Sequence, residues 1–141
     1  MAEIKKEVLN IYEKLLEIQK ELKAPKGQRN TFGNYKYRSC EDILEAVKPL
    51  CVKQKAVLTI TDSIVQIGER IYIKATAELH DTEAVGERAK EICNIAYARE
   101  SETKKGMDES QITGTASSYA RKYALNGLFC IDDTKDADTD E

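Results

Sequence analysis

Residues 104–125 read Lys-Lys-Gly-Met-Asp-Glu-Ser-Gln-Ile-Thr-Gly-Thr-Ala-Ser-Ser-Tyr-Ala-Arg-Lys-Tyr-Ala-Leu, placing hydroxyls and cations at helical spacing. With Ser118 as the zero of a helical wheel, Gln111, Gly114, Thr115, Arg121 and Lys122 fall within about 60° of it. Ile112, Ala116, Tyr119, Ala120 and Tyr123 fall on the opposite side. The wheel predicts that the second set packs and the first stays open. Because Gly114, Thr115 and Ser118 add little bulk, an anionic chain could approach the backbone there, with hydroxyls and two cations as donors. The plainer alternative is an amphipathic helix with a solvated face.

A second stretch has binding chemistry. From Lys23 to Ser39 there are five cations and no acids, with Phe32, Tyr35 and Tyr37 between them. Cations follow phosphates while ring faces stack bases without identifying them, a combination suited to single-stranded nucleic acid. A polar loop whose tyrosines cover the core is the competing reading.

Enzyme chemistry is poorly represented. No G-x-x-x-x-G-K-[ST] phosphate loop and no Gly-rich dinucleotide signature occurs in the 141 residues. Asp81 with Glu102, Thr103 and Lys104 suggests a metal-dependent nuclease, since two carboxylates can hold a divalent ion and a lysine can assist a water. In a chain that is 33% charged, such groupings arise by chance. His80 has no serine or cysteine partner motif and reads as an ordinary surface histidine. Cys40, Cys51, Cys93 and Cys130 form no C-x-x-C pair, so the expectation is reduced, mostly packed thiols without a metal cage. No cofactor is expected.

These residues need a scaffold. Ile4, Val8, Ile11, Leu15, Ile18 and Leu22 form a heptad seam and predict a helix over 4–22 that Pro25 and Gly27 end, with Leu9, Tyr12 and Leu16 widening its apolar surface. Ser39 with Asp42 forms a capping box for a short second helix bearing Ile43, Leu44, Val47, Leu50 and Cys51, and Pro49 should kink it or end it near Val47. Leu58 to Thr61 alternates. After the Gly68-Glu69 turn, Arg70 to His80 alternates with Ile71, Ile73, Ala75, Ala77 and Leu79 toward the core. Arg70, Tyr72, Lys74, Thr76, Glu78 and His80 then share the other face, either solvated or a second binding surface. A third strand is predicted over 88–98, and Asp108 with Gln111 caps a last helix that Gly127 ends. The fold class is α+β, with N-terminal helices, a three-stranded antiparallel meander and a C-terminal helix.

One domain over 1–131 accommodates this order, followed by an acidic tail over 132–141 expected to be disordered. The net charge of −3 is a property of that tail; without it, 21 basic face 19 acidic residues. No apolar run is long enough for a membrane span, and the first residues lack a signal-peptide core.

Taken together, Tyr35-Lys36-Tyr37-Arg38-Ser39, Tyr97-Ala98-Arg99-Glu100, Lys105-Gly106-Met107-Asp108, Gln111-Ile112-Thr113-Gly114 and 117–125, followed by Asp132-Asp133, resemble the Erf family of phage single-strand annealing proteins. The likeness covers roughly residues 5–136 and keeps motif order. It implies ATP-independent annealing of single-stranded DNA, a β-β-β-α core like that of eukaryotic annealing recombinases, and homo-oligomeric rings or filaments. It further implies a cytoplasmic setting in a bacterial host, with a phage exonuclease and a host single-strand-binding protein as candidate partners. The candidate DNA contacts, chosen by chemistry and position, are Lys36, Tyr37, Arg38, Arg99, Lys104, Lys105, Gln111, Ser118, Arg121 and Lys122. A double-stranded RNA-binding module, with its helix, three strands and helix, is the alternative beside the nuclease. If the tail competes with DNA for a basic surface, truncation after Ile131 will tighten single-strand binding at low salt and less so at high salt, as a fluorescence-anisotropy titration would read. Equal or weaker binding by the truncated chain would make the tail a solvated appendage.

Overall fold

The structure, a computed structural model, describes residues 8–24, 28–30, 35–37, 39–100 and 109–131, with the backbone alone for 28–30, 35–37 and 109–113. In chain order it comprises α1 (Ile11–Glu21), β1 (Gln28–Asn30), β2 (Tyr35–Tyr37), α2 (Cys40–Gln54), β3 (Ala56–Ile67), β4 (Arg70–Asp81), β5 (Glu91–Arg99) and α3 (Glu109–Phe129). The α+β class follows. β3, β4 and β5 form an antiparallel meander with β4 in the centre, and β1 pairs antiparallel with β2 in a separate ribbon.

Local chemistry sets the element ends. Asn10 caps α1 by accepting from the Glu13 amide, while the Glu13 carboxylate accepts from the Asn10 amide. The helix therefore begins seven residues later than the heptad seam predicts. Val8 lies before the cap and is exposed, Ile4 lies outside the described residues, and Ile11 and Ile18 carry the seam's burial. Ser39 and Asp42 form the predicted box on α2. Pro49 does not end that helix near Val47; it is exposed, and α2 continues to Gln54, where Lys55 closes it in the left-handed region at φ 54°. Gly68 at φ 63° supplies the conformation that the two-residue β3–β4 turn requires.

The predicted alternation holds in β4, where Ile73, Ala75, Ala77 and Leu79 are buried on one face. The third strand starts at Glu91 rather than 88, with Ile92 turned inward and Cys93 outward. Against the inner face lies α3, whose Ala116, Ala120 and Ala124 are buried in one core with Ala75 and Ala77 of β4, small side chains that permit a close approach of helix and sheet. Gln19 of α1 donates to the Leu128 carbonyl from one side, and Asn94 of β5 donates to the Ala124 carbonyl from the other. Gly127 lies inside α3 rather than at its exit, at a place where a Cβ would overlap the Asn94 amide. Among the described residues, the helices cover only one face of the sheet.

One buried cation ties these layers together. Lys14 is 1% exposed, and its ammonium lies 2.7 Å from both Asp81 and Glu83. Burial opposes the charge on Lys14, but the hydrogen bonds and charges of Asp81 and Glu83 outweigh it and raise its pKa above the ordinary lysine value. Burial likewise opposes the Asp81 charge, yet Lys14, the Glu83 amide and Arg88 hold its carboxyl below the usual value. Replacing Lys14 by Ala leaves that carboxylate buried and uncompensated, at an expected cost of about 3–5 kcal/mol in urea unfolding. Since the folded pKa of Asp81 is depressed, its contribution is present above the ordinary carboxylate pKa and is lost as pH falls through the lower folded value. The gap in urea midpoint between parent and Lys14→Ala should accordingly narrow in acid; a constant gap would show that Asp81 does not carry the effect.

Candidate nucleic-acid interface

The uncovered face of the sheet carries one row from each strand. Register pairs Tyr72 with Val65 and Arg99, Lys74 with Ser63 and Tyr97, Thr76 with Thr61 and Ile95, Glu78 with Thr59 and Cys93, and His80 with Val57 and Glu91. Directly paired residues share a face, so Tyr72, Lys74, Tyr97 and Arg99 form a compact quartet at the end nearest the β3–β4 turn. Arg70 lies beside it. Tyr97 is 51% exposed and Arg99 is exposed, whereas Tyr72 and Lys74, in the central strand, are half-buried between their neighbours.

The opposite end has reversed chemistry, with Glu78, His80 and Glu91 together. Its hydrogen bond with Glu91 raises the Glu78 pKa above the ordinary value, with desolvation and the Glu91 charge adding to this and His80 opposing it. From Tyr72 to His80 the face spans about 27 Å of extended chain. Charge is therefore segregated along one strand.

Helix α3 presents a different surface. Ser118 is exposed and Arg121 is half-exposed, its Nε 3.1 Å from both carboxylate oxygens of Asp62, to which Ser117 also donates. Lys122 does not belong to that surface: it is 5% exposed, contrary to the wheel. Tyr119 and Tyr123 reverse the other way. They are about 40% exposed and stack with centroids 6.1 Å apart. A wheel assigns one azimuth to a whole helix, but burial changes along α3: Ser118 is exposed, whereas Lys122, Leu125 and Phe129, further along the same side, are buried.

Of the other candidates, Arg99 stands on the open sheet face, away from Ser118 and Arg121, so the predicted site divides over two surfaces. Lys36 and Tyr37 fall in β2 and Gln111 in α3, where the backbone alone is described; Arg38, Lys104 and Lys105 lie outside the described residues. Tyr72, Lys74 and Tyr97 were absent from the predicted contacts. Their alternation on β4 and β5 was the available signal. Asp81, the proposed nuclease ligand, has a side chain with no exposure and is engaged by Lys14, so it cannot reach a solvent metal; Glu102 lies outside the described residues. Cys40 and Cys51 are buried, with thiol pKa values raised first by desolvation, while Cys93 and Cys130 are exposed. The thiols are thus evenly divided rather than mostly packed.

The model of the ERF superfamily matches residues 11–141, most of the chain. The chain belongs to the ERF superfamily. Among curated relatives, the essential recombination function protein of Salmonella phage P22 is 60% identical over 130 residues, covering 92% of this chain and 60% of that protein. This ERF-superfamily chain therefore spans about 60% of the length of the curated relative it matches. No solved structure matches. Among the described residues, no helix is long and apolar enough to cross a membrane.

The burial of Lys122 separates it from Arg121 in a testable way. Lys122→Ala removes the packing and the interactions of a side chain that is 5% exposed, so thermal unfolding should show a loss of about 1–3 kcal/mol. Arg121→Ala, whose ion pair is partly solvated, should lose about 1 kcal/mol or less. Equal and small losses for both would return Lys122 to the surface.

Proposed function

We propose that this chain binds single-stranded DNA on the open face of its sheet and anneals complementary strands without ATP, in phage homologous recombination. The observation that carries the reading is the Tyr72, Lys74, Tyr97 and Arg99 quartet on the uncovered face. Membership of the ERF superfamily and the recombination function named for the phage P22 relative support it. The succession of β3, β4, β5 and α3 has the β-β-β-α order that the resemblance to the Erf family implies.

Annealing makes and breaks no covalent bond. The protein must hold one strand extended while its Watson–Crick edges stay available to the complement. Tyrosine rings engage base faces and Lys74 and Arg99 engage phosphates, and neither contact uses those edges. A modest basic patch suffices when it is repeated, because each bound site raises the effective concentration of the next. Homo-oligomerisation into rings or filaments belongs to the same proposal. Tyr12 and Leu16 on α1, Val52 on α2, and Ile64 and Ile67 near the β3 tip are exposed apolar side chains available to such contacts.

Tyr72→Ala and Tyr97→Ala should each weaken single-strand binding by about 1–3 kcal/mol, the range for a lost base stack. Replacing Lys74 and Arg99 together by Ala should flatten the log–log salt slope by about 1.4, at roughly 0.7 per single-strand phosphate contact, with similar loss for all base compositions. Titrations and strand-annealing rates measured with folded variants would check both. Parent-like binding and annealing by all of them would remove the sheet face from the DNA site.

A further inference from the structure

We propose that Glu78, His80 and Glu91 form a binding site for a divalent transition-metal ion, with zinc the best chemical match, at the acidic end of the open sheet face. Glu78 and His80 are alternate residues of β4 and so project from the same face, and Glu91 is the antiparallel partner of His80 on β5. One ligand atom from each lies within 4.8 Å of the other two. His80 Nε2 is 3.4 Å from a Glu78 oxygen, and His80 Nδ1 is 3.7 Å from a Glu91 oxygen.

The donor set defines the ion. With ligand bonds of about 2.1 Å, tetrahedral zinc requires donors about 3.4 Å apart, so rotations of the exposed Glu91 and the half-buried Glu78 and His80 side chains can close the site around it. An imidazole between two carboxylates suits zinc and its first-row neighbours, whereas magnesium and calcium favour oxygen-only shells. Two carboxylates balance the charge of the ion. Thr59, 3.3 Å from His80 Nε2, flanks the imidazole from β3. All three ligands stand on hydrogen-bonded strands, so their backbone positions are fixed in advance. This site is independent of Asp81, which Lys14 neutralises on the inner face.

The test uses the full chain, stripped with a chelator and titrated with zinc chloride against a chromogenic zinc indicator, with thermal unfolding as a second readout. One ion should bind per chain and raise the unfolding temperature. His80→Ala and Glu91→Gln should each weaken binding at least about tenfold, the lower bound for losing even an outer-shell partner, while keeping the parent's circular dichroism. Cys93→Ser and Cys130→Ser should bind as the parent does, and excess magnesium should not displace the zinc. The site is overturned if no saturable binding occurs. It is equally overturned if His80→Ala binds normally while a cysteine variant does not, or if magnesium competes on equal terms. None of these readouts involves DNA, so the metal site stands or fails apart from the annealing function.

Discussion

Burying the Lys14 ammonium constrains three parts of the fold at once. Its carboxylate partners sit at the end of β4 and in the turn beyond it, and its third contact, at 3.4 Å, is the carbonyl of Lys55, the residue that closes α2. Thr82 also donates to that carbonyl through both its amide and its hydroxyl. A desolvated charge tolerates little displacement, because each lost contact leaves a buried group unsatisfied. One Asp81 oxygen already lacks a hydrogen-bond partner, so Lys14 holds that carboxylate through a single oxygen. α1, the end of α2 and the β4 terminus are therefore placed together. The Lys53–Glu21 ion pair between α1 and α2 is more exposed and adds little to this.

Placing the helices together on one face leaves the other face uncovered among the described residues. The alanines of α3 and β4 allow a helix–sheet approach that larger side chains would prevent, and Asn94 and Gln19 hold the end of α3 through backbone carbonyls. With the core gathered on that side, residues on the opposite rows of β4 and β5 are free to vary in chemistry. Their sorting is uneven, with rings and cations near the β3–β4 turn and carboxylates at the far end. A polyanion lying along the whole of β4 would meet Glu78 and Glu91, so the charge pattern favours a strand that crosses the sheet near Tyr72 over one that follows it.

The parts of the fold governed by short-range rules were legible in the sequence. Alternation from Arg70 to His80 gave the central strand and its inward face, and Ser39 with Asp42 gave the start of α2. The Asn10–Glu13 box that starts α1 was equally visible, but the longer heptad pattern obscured it. What sequence periodicity misses is partnership across the chain. Lys14 resembles a solvated lysine until Asp81, 67 residues away, is placed beside it. Lys122, Tyr119 and Tyr123 were assigned to the wrong sides because the surroundings of α3 change along its length. The three-residue ribbon of β1 and β2 was too short to give a periodic signal. The proposed site is legible in part: Arg99 stands out by its charge, and alternation places Tyr72 and Lys74 on a face that is either solvated or a second binding surface, whereas only the β4–β5 register brings Tyr97 and Arg99 beside them.

The two candidate surfaces differ in what binding would displace. On α3, Arg121 is held by Asp62, and a phosphate would have to compete with a carboxylate fixed on β3 and further engaged by Ser117. Part of any binding energy there is spent on breaking an existing pair. Arg99 and Lys74 lie beside tyrosines instead, so a strand approaching them meets ring faces and cations together. Geometry points the same way. A strand enclosed in a groove would shield its base edges, but one lying on an uncovered sheet keeps them toward solvent, where a complementary strand can approach without the first being released. Under the annealing reading, the open face is therefore the more economical place for the strand, and Arg121 serves chiefly to secure α3 to β3.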